Sequence, residues 1–394
     1  MNIKDMISPV IRDMPPSGIR RFFDLVDEIE GAVSLGVGEP DFITPWHIRE
    51  ASIHSLEEGY THYTSNWGLP SLRREIARYL SHRFNVTYSP EDQIIVTVGA
   101  SEAIDLALRA IVTTDDEVLV PEPSYVSYMP CVEMAGGRVV PIVTKAEDEF
   151  RLTAQALRET ITPRTKALIL PYPNNPTGGI MLRSDLEAIA DALKDTDILV
   201  LSDEIYAELT YGDTTHVSIA SLPGMEERTV VISGFSKAFA MTGWRVGYAA
   251  GHKDIIAAMV KIHQYTMLCA PIMSQIAATE ALRAGYNDGY EDIKRMHREY
   301  DRRRRLMVKS FNDMGLECFE PRGAFYVFPS IQRTGMSSDE FCERLLQEQK
   351  VAVVPGNAFG ASGEGFIRCS YAYSIDALTE ALKRIKAFAE KYVR

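Results

Sequence analysis

The chain has 394 residues, 46% of them hydrophobic and 24% charged, with a formal net charge of −12. That length exceeds one small core and implies about two domains of ordinary globular composition. The acidic balance disfavours a nucleic-acid backbone as partner, no apolar run is long enough to span a membrane, and five scattered cysteines without a C-x-x-C pair give neither a disulfide framework nor a zinc site.

The first residues, Met1-Asn-Ile-Lys-Asp-Met6, carry charges and no apolar segment of a signal peptide, so a cytoplasmic protein is expected. Residues 1–30 hold Pro9, Pro15, Pro16 and Gly18 ahead of an amphipathic run, which predicts an extended arm and then a short helix over 19–29. In Val33-Ser-Leu-Gly-Val-Gly-Glu-Pro-Asp-Phe42, two glycines and a proline mark tight, exposed backbone that a ligand can approach closely. Residues 46–58 read as a helix. Gly59-Tyr-Thr-His-Tyr63 and the Asn66-Trp-Gly68 turn then lead into a second helix over 69–84.

From residue 93 the pattern changes. Short apolar runs at 93–98, 117–120, 138–143, 165–170, 197–201, 229–233 and 244–249 alternate with amphipathic stretches such as 102–112 and 182–193. Such alternation predicts a mostly parallel sheet with helices on both faces. Ligands of such sheets bind beyond the carboxyl ends of the strands, and four polar loops fall there: 99–101, 172–179, 203–206 and the segment around Lys237. Past residue 280 the spacing predicts one long helix over 286–314. Its Arg302-Arg-Arg-Arg305 run reads as a solvated face. A strand over 323–328, a helix over 338–349, strands over 351–355 and 365–371 and a closing helix over 375–392 form a smaller α+β domain. The division expected is an arm and part of the small domain in 1–45, a large domain in 46–282 and the small domain in 283–394.

Several loops carry chemistry. Thr229-Val-Val-Ile232 is an apolar strand, and Ser236 and Lys237 follow it at once, with Arg245 eight residues on. A lysine at the mouth of an apolar strand is an expensive place for an unpaired charge. One use for it is a Schiff base to an aldehyde, with the arginine holding an anion; the bland fate is a surface loop. Gly99-Ala100-Ser101 leaves a strand and opens a helix, an arrangement that binds phosphate, although serine is also an ordinary N-cap. Pro173-Asn-Asn-Pro-Thr-Gly178 is a proline-rich turn. Asp203-Glu-Ile-Tyr206 puts a carboxylate beyond a buried strand, where it wants a cationic partner, although D-E-x-Y alone more often opens a helix.

In chain order, G-x-G-E-P-D, Y-x-x-Y, the phosphate turn, P-S-Y-V-S-Y, N-P-T-G, D-E-I-Y, S-K with its following T-G-W-R, and Phe366-Ile-Arg368 cover nearly the whole sequence. With these motifs the chain resembles the class I/II aminotransferases of fold type I, the aspartate aminotransferase superfamily. It looks most like their aromatic and N-acetyl-diaminopimelate subgroup. The resemblance implies an α/β fold with a mostly parallel seven-stranded sheet and a smaller α+β domain. It also implies pyridoxal 5′-phosphate as cofactor and a homodimer. The implied reaction is ping-pong transfer of the amino group of an L-amino acid to a 2-oxo acid such as 2-oxoglutarate, through a Schiff base on Lys237.

By the same resemblance Asp203 pairs with the cofactor's ring nitrogen, Tyr206 and Asn175 touch its ring oxygen and Tyr125 stacks on the ring. Gly99, Ala100, Ser101, Ser236 and Arg245 meet the phosphate, and Tyr63 reaches the phosphate of the neighbouring subunit. Arg368, with Asn175 and the backbone of Gly38, grips the substrate α-carboxylate in the two-pronged way lysine lacks. Two positions depart from the pattern. Gly234 stands where many relatives have a phosphate-binding serine, which leaves Ser236 as the substitute, and Tyr125 stands where several have tryptophan. Ser101 aligns with a lysine of acid-specific relatives, and Glu102 beside it is negative. Ile19 as a pocket residue, or Arg20 or Arg21 facing a remote carboxylate, would set the side-chain choice, so bulky or extended amino donors are expected. A C–S β-lyase would use the same residues. An effector domain of a transcription regulator would need a DNA-binding domain ahead of the fold.

Overall fold

The strands at the centre of the molecule have no polar face, and their burial follows from that. The computed structural model describes residues 2–16, 29 and 31–393. After a two-residue strand, β1 (Val33–Ser34), the chain builds a central sheet from β2 (Ile94–Thr97), β3 (Glu117–Glu122), β4 (Arg138–Val143), β5 (Thr165–Leu170), β6 (Leu199–Asp203), β7 (Thr229–Gly234) and β8 (Gly247–Ala250). Their order is β2-β8-β7-β6-β5-β3-β4, parallel except for β8, which runs against both neighbours. This is the mostly parallel, seven-stranded α/β sheet that the alternation predicts.

Successive residues of these strands pack on opposite faces. Val118, Val120, Ala167, Ile169 and Leu201 face the helices Ala100–Ile111 and Lys253–Thr266. Leu119, Leu168, Leu170 and Val200 face the helix Arg183–Leu193. The strand directions bring the carboxyl ends of β2, β5, β6 and β7 to one edge of the sheet.

Four further strands lie in the C-terminal part: β9 (Tyr326–Val327), β10 (Val351–Ala352), β11 (Val354–Pro355) and β12 (Ile367–Ser370). The last two and β9 form an antiparallel sheet in the order β11-β12-β9, while β10 pairs in parallel with β1. Leu35 N–H donates to Ala352 O at 2.8 Å, and Ser370 N–H donates to Leu35 O at 2.8 Å. These bonds fix the loop Gly36–Glu39 over the edge where the large strands end. Among the described residues no helix is long and apolar enough to cross a membrane.

Several expectations change. The arm is not simply extended: Ile3–Met6 form a 3₁₀ turn and Pro9–Asp13 a short helix. Proline at a first helical position has its φ already set and lacks only an N–H that would go unpaired. The helix expected over 19–29 falls almost wholly outside the described residues, Ile19, Arg20 and Arg21 among them. β6 ends at Asp203, so that carboxylate is the strand's last residue rather than the loop's first. Of the strand expected over 323–328, only Tyr326–Val327 forms a strand, and Gly323 makes an isolated antiparallel bridge with Thr210.

The single helix expected over 286–314 is two, Ile272–Asp288 and Glu291–Asp313. Gly289 closes the first with φ 74°, a left-handed cap. Asp288 Oδ1 accepts the N–H of Tyr290 at 2.9 Å and opens the second. A Cβ on Gly285 would overlap the Tyr290 ring, which folds back there. The arginine run is not a uniformly solvated face either. Arg303 and Arg304 are buried. Arg303 pairs with Asp41 at 2.8 Å, and Arg304 with Asp301 at 2.8 Å and Glu320 at 2.7 Å.

Replacing Gly289 with alanine forces an L side chain into the left-handed region, which costs about 1–2 kcal/mol. Urea unfolding of Gly289→Ala is expected to show that loss; unchanged stability would contradict the capping role.

Candidate active site

Asp203 ends the central strand of the sheet and is buried at the open edge. Tyr128 O–H donates to its Oδ2 at 2.7 Å and Ile205 N–H to its Oδ1 at 3.1 Å. Burial pushes its pKa up to about 6, and these two hydrogen bonds hold it from rising further. No ion pair among those described joins it, so its charge is available to a cation brought from outside.

Lys237 follows β7 in a segment where Ala240 and Arg245 both take left-handed backbone, φ 52° and 49°. Such conformations in non-glycine residues cluster where the surrounding structure fixes a side chain's aim. Lys237 Nζ donates to Gly38 O at 2.6 Å and lies 5.8 Å from the Tyr206 ring and 5.6 Å from the Phe325 ring. Burial lowers the amine's pKa to about 8; Glu39 opposes the change, and the positive charges of Arg368 and Arg245 add to it.

The phosphate turn has a steric signature. Gly99 has φ 82° and precedes the helix Ala100–Ile111, whose first N–H groups are free for an anion. A Cβ on Gly99 would lie 2.6 Å from Arg245 Nη2, so the missing side chain lets the guanidinium lie against the turn. A Cβ on Gly247 would lie 2.6 Å from Ala100 N. Gly234 pairs with Gly247 across β7 and β8 and is tightly packed, though less so than these two, its Cβ 3.0 Å from Gly247 Cα. A serine has little room there, while Ser236 lines the cavity. Glu102 does not line it: its carboxylate takes Val98 N–H and sits 2.7 Å from His263 Nδ1.

At the other end Arg368, on β12, is buried. Its Nη1 donates to Asn175 Oδ1 at 2.9 Å and its Nη2 to Gly36 O, while Nε has no partner. The guanidinium packs against the rings of Tyr326 (4.6 Å) and Phe359 (4.8 Å). A buried arginine with a free N–H and no carboxylate in reach among the described residues asks for an anion. One cavity of about 650 Å³ connects Arg368, Lys237, Asp203 and the Ser101 turn.

The family model for "Aminotransferase class I and II" matches residues 30–385. The chain belongs to that family. It is 56% identical to the Bacillus subtilis (strain 168) protein named YugH, over 98% of each chain. It is 48% identical to an aspartate aminotransferase of Pyrococcus abyssi (strain GE5 / Orsay), over 95% of this chain and 96% of the relative. The crystal structure of an aromatic aminotransferase from Pyrococcus horikoshii OT3 superposes with a TM-score of 0.90 at 44% identity, covering 94% of this chain and 99% of the other.

This aminotransferase therefore depends on pyridoxal phosphate, and its cavity fits that molecule. The residues able to hold it are the Ser101 turn with Arg245 for a phosphate, Asp203 for a ring nitrogen and Lys237 for an aldehyde. Tyr125, partly buried on the cavity wall, makes an edge-on contact with Tyr128 at 5.6 Å. Gly38, Ala100, Asn175 and Tyr206 line the same space. Tyr63 does not: it is 83% exposed, on the outer surface.

Two wall residues escape sequence reasoning. Tyr128, which holds Asp203, sits inside the P-S-Y-V-S-Y motif three residues after Tyr125, so that motif could have pointed to it. Tyr326, beneath Arg368, carries no local signal.

The lowered pKa of Lys237 sets a test. In the cofactor-free aminotransferase, the acylation rate of Lys237, followed by peptide mass spectrometry across pH, is expected to rise with a midpoint near 8. A midpoint near the ordinary lysine value would contradict the burial argument.

Proposed function

We propose that this aminotransferase carries the amino group of a bulky or extended L-amino acid to 2-oxoglutarate in two half-reactions, with Lys237 as the residue that joins the cofactor. The observation that carries this reading is one cavity with a depressed lysine at its centre, a buried carboxylate on one side and an incompletely paired arginine on the other. Pyridoxal phosphate, when bound, supplies an aldehyde for the amino group and a ring that draws electrons from the substrate Cα.

Asp203 holds the ring nitrogen protonated, which needs the carboxylate ionised and so favours pH above about 6. Tyr206 and Asn175 hold the ring oxygen, and Tyr125 covers one ring face. Ser101, Ser236, Arg245 and the helix N-terminus at Gly99 and Ala100 hold the phosphate. Arg368, Asn175 and the Gly38 backbone fix the substrate carboxylate, which orients the Cα–H bond. Lys237 would hold the cofactor's aldehyde and, when free, would serve as the base and acid that moves the substrate Cα proton. A pKa of about 8 suits an amine that must both accept and donate near neutral pH. On the proposed division at residues 45 and 282, the phosphate and ring groups belong to the large domain, while Arg368 and Gly38 lie outside it.

A bulky donor is favoured because Ser101, at the cavity wall, offers no cation to a second carboxylate. The names of the relatives include both aspartate and aromatic amino acids. Single-turnover reaction with each L-amino acid, followed by cofactor absorbance, separates these readings. Tyrosine, phenylalanine or N-acetyl-diaminopimelate is expected to exceed aspartate about tenfold in kcat/KM, roughly 1.4 kcal/mol in transition-state binding; the reverse order would overturn the reading of Ser101. Arg368→Ala is expected to weaken all substrates alike, by about 2–5 kcal/mol.

A homodimer completes the proposal. Tyr63, Tyr265, Met267 and Leu268 are exposed, and Asn66 Nδ2 donates to Leu268 O at 2.8 Å, tying the two segments together. Exposed apolar area of this kind suits a partner surface, and a second copy would bring its Tyr63 to this chain's phosphate turn. Mixing Tyr63→Ala with Lys237→Ala protein is expected to restore part of the activity lost by each. A fully active monomer in sedimentation would rule the shared site out.

A further inference from the structure

Tyr326 is fully buried on β9, opposite Ser370 of β12 and so two residues from Arg368. Its ring and its hydroxyl serve different neighbours. The ring lies against the Arg368 guanidinium at 4.6 Å, and the Phe359 ring packs against the same guanidinium at 4.8 Å. These two ring contacts restrict the guanidinium, whose Nε has no partner among the described residues. The hydroxyl is 2.9 Å from the hydroxyl of Tyr206. It also presses on Gly38, where any Cβ would overlap it. Burial raises the pKa of both tyrosines, so both keep their protons. One proton serves the bond between them. If Tyr326 donates it, the Tyr206 proton is left to donate elsewhere, and accepting the first bond strengthens Tyr206 as a donor.

We propose that Tyr326 is a positioning residue with two separable duties: its ring sets Arg368 for the substrate carboxylate, and its hydroxyl sets Tyr206 as hydrogen-bond donor to the cofactor ring oxygen. The inference rests on the roles given above to Arg368 and Tyr206. It adds that the two ends of the cavity meet on one side chain. The same contact involves Gly38, whose carbonyl receives Lys237 Nζ.

The test uses cofactor-loaded enzyme and two readouts other than turnover. One is the Kd of hydrocinnamate, an unreactive carboxylate with an aromatic end, by calorimetry. The other is the pH midpoint of the bound cofactor's absorption change. Tyr326→Phe keeps the ring and removes the hydroxyl. It is expected to hold the Kd within about twofold and to raise the midpoint by roughly 0.3–1 unit, because a weaker donor leaves the ring oxygen harder to ionise. Tyr326→Leu removes both and is expected to weaken hydrocinnamate roughly 3- to 30-fold as well.

An unchanged midpoint in Tyr326→Phe overturns the hydroxyl's duty. Full affinity in Tyr326→Leu, or an affinity loss in Tyr326→Phe as large as that in Arg368→Ala, overturns the ring's duty. Should the leucine variant not fold, Tyr326→Phe alone decides, since it must change one readout and spare the other. Arg368→Ala and Tyr206→Phe separate this inference from its basis. Hydrocinnamate bound normally by Arg368→Ala, or an unmoved midpoint in Tyr206→Phe, removes the underlying assignment itself.

Discussion

Two cations, Lys237 half-buried and Arg368 buried, govern this site, and neither has a carboxylate partner among the described residues. Lys237 and Arg368 open on the same cavity, and each is held by neutral oxygens: Gly38 O for the lysine, Gly36 O and Asn175 Oδ1 for the arginine. Neutral acceptors orient a charge without cancelling it. Burial then lowers the lysine pKa to about 8 and leaves one arginine N–H unpaired. An anionic substrate and an aldehyde-bearing cofactor supply what the protein withholds.

Holding such groups apart from solvent demands a rigid frame, and the chain supplies it by joining distant segments. The pairing of β1 with β10 ties the N-terminal loop to the C-terminal part, and Ser370 N–H reaches back to Leu35 O. That loop delivers both carbonyls to the cations. The central sheet supplies the opposing groups because its apolar strands end together, so Asp203, the Ser101 turn and Lys237 emerge at one edge. Tyr326 bridges the two parts, with its ring on Arg368 and its hydroxyl on Tyr206.

Much of this was legible in the sequence, and the failures have identifiable causes. The apolar runs of β3 to β7 have period and length enough to be read directly, and the ordered motifs carried the family. Eleven of the residues drawn from that resemblance line one cavity, and Gly99 sits behind it against Arg245. The break between the helices Ile272–Asp288 and Glu291–Asp313 was missed although Asp288-Gly289 signals a cap, because the apolar spacing runs on through it. Arg303 was read as solvated because composition cannot reveal Asp41, 262 residues away, as its partner; Arg304 has its partners nearby, Asp301 and Glu320, and only its burial was missed. Glu102 was counted as a negative neighbour of the pocket, but its pairing with His263 depends on the helix Lys253–Thr266, packed beside its own on the same face of the sheet. Tyr326 was invisible for the same reason: its partners converge only in the folded chain.

The central claim is that Lys237 is the amine joined to the cofactor, and borohydride reduction of the loaded enzyme followed by peptide mapping tests it most directly. The account predicts a single reduced cofactor adduct on Lys237, with none formed by Lys237→Ala. An adduct on any other lysine of the wild-type enzyme would contradict it.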